Sequence, residues 1–174
     1  MLPWWLERVL GIDVRRPDAE ALPRPLLKTR RRSHQAHPDG VVSAAHARLV
    51  EQAYTDLSLP QRRAWLVAIY DGVVRTSGHA EYFRTHGVGR AAEARMALEE
   101  LALPAARGIL DEAIQRHVSV PGETGFVEIG SSRRFVPPRF DDLDAAYRAL
   151  TGQVEAAVRR DVRDRVDDFV LVED

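Results

Sequence analysis

The stretch that decides the fold is SLPQRRAWLVAIYDGVVRTSGHAEYFRTHG, residues 58–87. Ser58 and Gln61 have the spacing of a capping box, in which two side chains satisfy the first free N–H groups of a helix. The residues that follow are apolar on most sides of a helix, which is typical of a helix at the centre of a domain: Trp65, Leu66, Ile69, Tyr70 and Val73. The pattern predicts a central helix at about 60–76, ended by Gly78.

Beyond that glycine, ring-bearing side chains recur at i, i+3, i+4 and i+7, which is one helical face: His79, Tyr82, Phe83 and His86. Such a face predicts packing against the central helix. The alternative is a metal or catalytic site made by His79, Glu81 and His86, which requires the three groups to converge in a pocket. We favour packing, because Glu81 falls on a different side of the helix and the spacing is not the His-Glu-x-x-His zinc pattern.

The rest of the chain is mostly helical in pattern. Apolar residues recur at three- and four-residue steps in 89–118, where Pro104 divides two helices joined by a short connection, the mark of an antiparallel hairpin. Residues 119–138 break this pattern and are predicted to be a short β-hairpin or an irregular loop. Helical pattern returns near Asp141 and continues with a valine at every fourth position from Val154. The sequence therefore predicts an all-α fold of about six to seven helices with an insertion near 119–138.

Composition excludes several kinds of site. The chain has 174 residues and no cysteine, so disulfides, thiolate zinc sites and a cysteine nucleophile are ruled out. Neither a membrane-spanning apolar run nor a secretory signal is evident, and we expect a cytoplasmic protein without membrane contact. The remaining histidines have no metal-ligand spacing, so we predict no metal, no cofactor and no catalytic residue.

Residues 1–40 differ from the rest, with five of the ten prolines and no sustained helical period. We predict an N-terminal extension over 1–40, with a short helix around Trp4 and Trp5, followed by a helical domain over 41–174. The tryptophans either dock back on that domain or bind a partner or membrane surface. The basic run Arg30–Arg32 is interpreted as a solvated linker. Nucleic-acid contact through it is the alternative, but no aromatic residues lie between the arginines to stack on bases.

Three segments together resemble the bacterial DNA-mimic protein family, whose domain was long described as of unknown function. The first carries the family motif, here Ser77, Gly78, His79, Glu81, Tyr82, Phe83 and Gly87. The others are AAEARMALEELALPAARGILDEAI at 91–114 and FDDLDAAYRAL at 140–150. The motif departs from the family pattern at three positions, because Ser77, His79 and Glu81 stand where the family has asparagine, an aromatic residue and glutamine.

The resemblance implies an all-α, non-enzymatic protein. It also implies an acidic surface that imitates DNA phosphates and occupies a DNA-binding protein or regulator, and a possible homodimer. Direct binding of nucleic acid is not expected.

Charge bears directly on this implied function, because imitation of DNA needs dense, unpaired negative charge. The whole chain has a net charge of −1, and only the C-terminal third is strongly acidic. Its acidic residues alternate with arginines at four-residue spacing, which neutralises part of the charge. If mimicry operates, the candidate partner-binding acidic cluster is Asp141, Asp142, Asp144, Asp167 and Asp168. We therefore expect a protein-interaction module, with DNA mimicry as its special case.

Overall fold

The computed structural model describes residues 25–119, 126–129, 132–135, 139–150 and 152–174, without the side chains of the two short internal segments. The α-helices are α1 (Arg31–Ala36), α2 (Pro38–Val50), α3 (Leu59–Glu100), α4 (Pro104–Val118), α5 (Asp141–Arg148), α6 (Gln153–Asp164) and α7 (Val166–Phe169). The strands are β1 (Leu27–Arg30), β2 (Phe126–Ile129), β3 (Ser132–Phe135) and β4 (Val170–Glu173). Seven helices in the described part of the chain confirm the predicted all-α class. The predicted Trp4–Trp5 helix lies outside these residues.

The contacts divide the chain into two compact units. Unit 1 is Met1–Ile69 together with Gly152–Asp174, and unit 2 is Tyr70–Thr151. The long helix α3 contributes its first part to unit 1 and the remainder to unit 2. Neither part of it, nor any other described helix, has the length and apolar character needed to cross a membrane.

In unit 1, α2 packs on α6 through small and branched side chains. The valine repeat of α6 is buried as its four-residue spacing predicts, since that spacing keeps side chains on one face. The buried residues of the two helices are Val41, Val42, Ala45, Leu49, Val154, Val158 and Val162. Trp65 and Leu66 of α3 are buried as predicted, whereas Ile69 is only half-buried.

The linker interpretation of the basic run is wrong. Strand β1 pairs in parallel with β4, with Leu27 opposite Val170 and Arg30 opposite Glu173, and α1 follows directly. Residues 27–40 thus belong to the same unit as the C-terminus, across the boundary that composition placed at residue 40. Local periodicity could not predict this, because the two strands have four residues each and pair over almost the whole length of the chain.

Polar side chains at the start of α3 form hydrogen bonds and an ion pair with other segments of unit 1. The Oε1 atom of Gln61 accepts from the backbone N–H of Ser58 at 3.0 Å, which confirms the glutamine half of the predicted capping box. Its Nε2 donates to the carbonyl of Asp168 at 2.7 Å. Arg63 and Asp161 form an ion pair whose side chains are only 12% and 9% exposed. These contacts join segments that are distant in sequence.

Unit 2 contains two interruptions of α3. Gly78 has φ 84° and Gly87 has φ 71°, values outside the helical region, so helical segments run over 59–77, 79–86 and 88–100. The last segment and α4 form the predicted helical hairpin, whose turn holds Ala102 at φ 54°. Strands β2 and β3 pair antiparallel, with Phe126 opposite Phe135. This pair is the hairpin predicted as one of two possibilities for the insertion.

Candidate functional site

The family motif forms the joint between two segments of α3. At Gly78 the backbone adopts φ 84° and ψ 173°, a conformation open in practice only to glycine. The next N–H, that of His79, donates at 2.9 Å to Oδ1 of Asp144 in α5. A Cβ atom built on Gly78 would overlap that carboxylate. Glycine is therefore required here both for its backbone conformation and for the space it leaves.

The imidazole of His79 joins a tyrosine to the same carboxylate. Its Nδ1 lies 2.5 Å from Oδ1 of Asp144, and its Nε2 lies 2.9 Å from the hydroxyl of Tyr70. Because the carboxylate accepts, Nδ1 carries the hydrogen and Nε2 accepts from the Tyr70 O–H. Burial lowers the pKa of His79, and the hydrogen bond and charge of Asp144 offset this only in part. We name this arrangement the Tyr70–His79–Asp144 chain.

Aromatic rings surround the Tyr70–His79–Asp144 chain. The Tyr70 ring lies 5.0 Å from that of Tyr147 and 5.1 Å from that of Tyr82, both edge-on. The His79 ring lies 5.9 Å from that of Phe140. The hydroxyl of Tyr147 donates to the buried carboxylate of Asp71 at 3.1 Å. Burial raises the pKa values of all three tyrosines.

Hydroxyl, imidazole and carboxylate follow one another here as they do in a hydrolase triad, but the setting differs. Tyr70 and His79 have no exposed surface, so a substrate could not reach either. The Tyr70 hydroxyl would be a poor nucleophile, because its pKa is raised well above 10. Three residues of the predicted aromatic face, His79, Tyr82 and Phe83, are buried, and His86 is half-buried. His79 does more than fill space, since it links α3 to α5.

Comparison with known protein families shows to which family the chain belongs. A family model described as DMP19-like protein matches residues 55–170, about two thirds of the chain. The chain belongs to the DMP19-like protein family. DMP19 stands for DNA mimic protein 19, so the predicted resemblance is confirmed. No curated protein and no solved structure matches the chain.

The DMP19-like match includes the entire Tyr70–His79–Asp144 chain and both glycine joints, and it excludes β1, α1 and α2. Of the other motif residues, Tyr82 and Phe83 are buried and Ser77 is exposed. Phe83 stacks on His117 with ring centroids 4.3 Å apart. The motif of this DMP19-like chain thus serves mainly to shape unit 2.

The alternative site formed by His79, Glu81 and His86 is not assembled. Glu81 accepts from Arg84 at 2.5 and 2.7 Å and from Thr85 at 3.1 Å, and the Arg84 hydrogen bond lowers its pKa. His86 lies beside Tyr82, with ring centroids 5.1 Å apart. Among the described residues, no group of three or more histidines and carboxylates could hold a metal ion.

The predicted acidic cluster falls into different environments. Asp141 is exposed, and Asp142 is 64% exposed while it accepts from both terminal nitrogens of Arg116 at 2.6 and 2.7 Å. Arg116 lowers the pKa of Asp142 to about 2. Asp144, only 15% exposed, caps His79 and is not part of a surface, which corrects its assignment. In unit 1, Asp167 is exposed and Asp168 is half-buried.

Sequence reasoning missed the role of Asp144, although a signal was present. Asp144 follows Leu143 and precedes Tyr147 by three positions, so it borders the inward face of α5. A carboxylate at the edge of an apolar stripe is a candidate for a buried hydrogen bond. Its partner His79 is 65 positions earlier in the chain, which no local pattern predicts.

The basic run Arg30–Arg32 lies on the surface of unit 1. Arg31 pairs with Asp174 at 2.7 Å, and Lys28 pairs with Glu173 at 3.4 Å. The acidic C-terminus therefore neutralises part of this positive charge, which weakens the case for a nucleic-acid interface.

Proposed function

We propose that this protein is a non-enzymatic protein-binding module whose partner is a DNA-binding protein or regulator. Membership of the DMP19-like family over residues 55–170 is the observation that carries the proposal. The geometry of the site supports this proposal, because the side chains that could take part in a reaction are already bound to other side chains of the protein. His79 and Tyr70 are buried in a hydrogen-bond chain, and Glu81 is held by Arg84.

The surface charge indicates how such binding would work. In unit 2 many carboxylates are held by the protein's own arginines: Glu81 by Arg84, Glu93 by Arg90, Glu99 by Arg107, Asp111 by Arg95, and Glu112 and Asp142 by Arg116. Exposed ion pairs of this kind stabilise a fold very little. The arginines and lysines of a partner could therefore replace the protein's own arginines at these carboxylates, at small cost to the stability of the fold.

Arg116 is central to one candidate surface, the acidic face, which we define as Glu112, Asp141, Asp142 and Arg116. Its guanidinium contacts the carboxylates of both Glu112 and Asp142 and thereby occupies two groups that a basic partner would need. Asp141 adds an exposed charge at the start of α5. We propose that the partner competes with Arg116 for these carboxylates, so that recognition rests on a few exchangeable charges instead of a DNA-like row.

Competition with DNA tests the proposed function. The full chain is immobilised, exposed to lysate of the source cell and eluted with duplex DNA, and the eluted proteins are identified by mass spectrometry. We expect a DNA-binding protein that duplex DNA displaces and that added salt weakens. Retained proteins that DNA does not displace, or none retained at all, would contradict the proposal.

A pair of variants tests the acidic face. Arg116→Gln removes the competing cation, and we expect the partner's affinity to rise about threefold to tenfold. Arg84→Gln is the matched control, because it makes the same change of net charge at an ion pair that does not belong to the acidic face. Equal effects of the two variants would show that only net charge matters and that the acidic face is not the contact.

The homodimer is part of the same proposal and is tested by light scattering of the purified chain. We do not propose direct binding of nucleic acid. Unchanged migration of a DNA duplex mixed with the purified chain would agree with this.

A further inference from the structure

Segment 79–86 is a short helix between two glycine joints. Gly78 and Gly87 both have positive φ and ψ 173°, so the backbone direction changes at each end of the segment. At its first residue, one carboxylate oxygen of Asp144 accepts from both the backbone N–H and the Nδ1–H of His79. These bonds hold α5 against the start of the segment, and we call them the latch.

Protonation would change the hydrogen bonding at the other ring nitrogen of His79, on the side away from Asp144. A proton taken from solvent would bind Nε2 of His79, which now accepts from Tyr70. The resulting imidazolium has two donors and no acceptor, so the Tyr70 O–H would lose its acceptor. The Tyr70 ring lies edge-on to the rings of Tyr82 and Tyr147, and burial, together with Tyr82, Asp144 and Asp71, raises the pKa of its hydroxyl. A buried hydroxyl without a partner is costly, and a buried cation more so.

The charged and titratable groups facing His79 come from three helices. Asp144 and Arg148 lie on α5, Arg116 lies on α4, and Tyr70 lies on α3. Asp144 favours the imidazolium, while burial and the two arginines oppose it, and the pKa of His79 is lowered as a result. Tyr147 and Phe140 contribute uncharged rings.

We propose that the latch is acid-sensitive, so that proton uptake at Nε2 of His79 releases α5 from segment 79–86 and opens unit 2 in mildly acidic solution. The imidazolium becomes solvated only when the latch opens, because His79 has no exposed surface in the closed form. Proton binding is therefore coupled to opening. The inference depends on the geometry of unit 2 and does not rest on the identity of a partner.

Native-state hydrogen exchange on the full chain tests the latch. Exchange is followed by mass spectrometry at pH 7.5 and 5.5, with correction for the intrinsic pH dependence of exchange. The opening constant of peptides from segment 79–86 and α5 should rise by about tenfold, the factor expected if His79 has a pKa near 6.5 only in the open form. Peptides from α2 and α6 of unit 1 should change by less than about twofold.

Two variants distinguish the effect of protonating His79 from the effect of protonating other groups of unit 2. His79→Gln keeps a side chain that can donate and accept but does not titrate, and it should abolish the tenfold rise. His117→Gln is the matched control, a histidine of the same unit that stacks on Phe83, and it should keep a rise of at least about fivefold. Equal rises in both units, or a rise that persists in His79→Gln, would overturn the proposal.

An NMR titration of the wild-type imidazoles covers the case in which His79→Gln does not fold. The His79 ring should remain neutral in the closed form and become protonated only together with the loss of protection in α5. Protonation of His79 near pH 6.5 with α5 still protected would show that the proton does not open the latch.

Discussion

The interior of unit 1 holds an arginine–aspartate pair among valines, whereas the interior of unit 2 holds a hydrogen-bond chain that runs through an uncharged histidine among aromatic rings. In unit 1, Arg63 and Asp161 face each other beside the valine stripe of α6. In unit 2, Tyr70, His79 and Asp144 are surrounded by rings. Both arrangements pair polar groups away from water, and both connect segments far apart in the sequence.

The difference concerns the response to pH. An arginine stays charged at every pH a protein tolerates, so proton uptake by its guanidinium cannot weaken the pair in unit 1. A neutral histidine and buried tyrosines each bind protons differently in the folded and unfolded states. Unit 2 should therefore lose stability at both mild acid and alkaline pH, while unit 1 should respond much less. The family motif lies in unit 2, the unit for which we predict this dependence on pH.

The largest expected effect comes from Gly78→Ala, compared with Gly87→Ala in the same unit. Both changes put a side chain on a backbone with positive φ, which costs about 1–3 kcal/mol. At Gly78 the new Cβ also overlaps the Asp144 carboxylate, whereas at Gly87 nothing lies within 4 Å. Gly78→Ala should cost at least about 3 kcal/mol in urea denaturation, or prevent folding of unit 2. Equal costs would mean that α5 does not depend on the latch.

The second prediction compares two carboxylates that are mostly buried, Asp161 of unit 1 and Asp144 of unit 2. Asp161→Asn would remove the carboxylate charge that the nearly buried Arg63 faces and should cost about 3–5 kcal/mol. Asp144→Asn would leave a neutral histidine beside an amide oxygen that can still accept, and should cost about 1–2 kcal/mol. Both values come from denaturant melts at pH 7.5. The reverse order would show that the ion pair of unit 1 is the more replaceable contact.

The third prediction concerns alkaline pH. Burial raises the pKa values of Tyr70, Tyr82 and Tyr147, so the unfolded chain loses their protons first as the pH rises. The stability that these groups contribute is present below about pH 10 and is lost above it. As the pH rises from 9 to 11, ionisation of each of these tyrosines in the unfolded chain should lower the free energy of unfolding by about 1.4 kcal/mol.

Tyr147→Phe should remove one such increment from the pH dependence, and this variant keeps the ring that packs on Tyr70. Tyrosinate absorbance and circular dichroism, followed together, provide the measurement. Ionisation of these tyrosines before any loss of helical signal would contradict the burial on which the prediction depends.

The helices and their inward faces could be predicted from the sequence, because periodicity is a local property. The valine stripe of α6 and the aromatic face after Gly78 are examples. The parallel pairing of β1 with β4 could not, because each strand is short and its partner is remote. For the same reason, the sequence predicts the position of only one of the two residues that form the latch. The sequence pattern places His79 on a buried face, where the structure also has it, but it offers Asp144 only as a surface charge, because a capping carboxylate from another segment has no local signature.

The smallest expected effect is that of Glu81→Gln, and it marks the boundary between the interior of unit 2 and its surface. Glu81 belongs to the same motif as His79, yet it pairs with Arg84 and Thr85 on its own helix and does not contribute to the latch. An exposed pair of this kind contributes little, so the midpoint of a urea melt should not change measurably. The acid-induced rise in hydrogen exchange of α5 should also be unchanged, because His79 keeps all its partners. A catalytic or metal site would require the opposite, since Glu81 would then be one of its three essential groups. A clear change in either measurement would show that Glu81 and His79 act together, and the division of this motif into a buried latch and a solvated face would have to be abandoned.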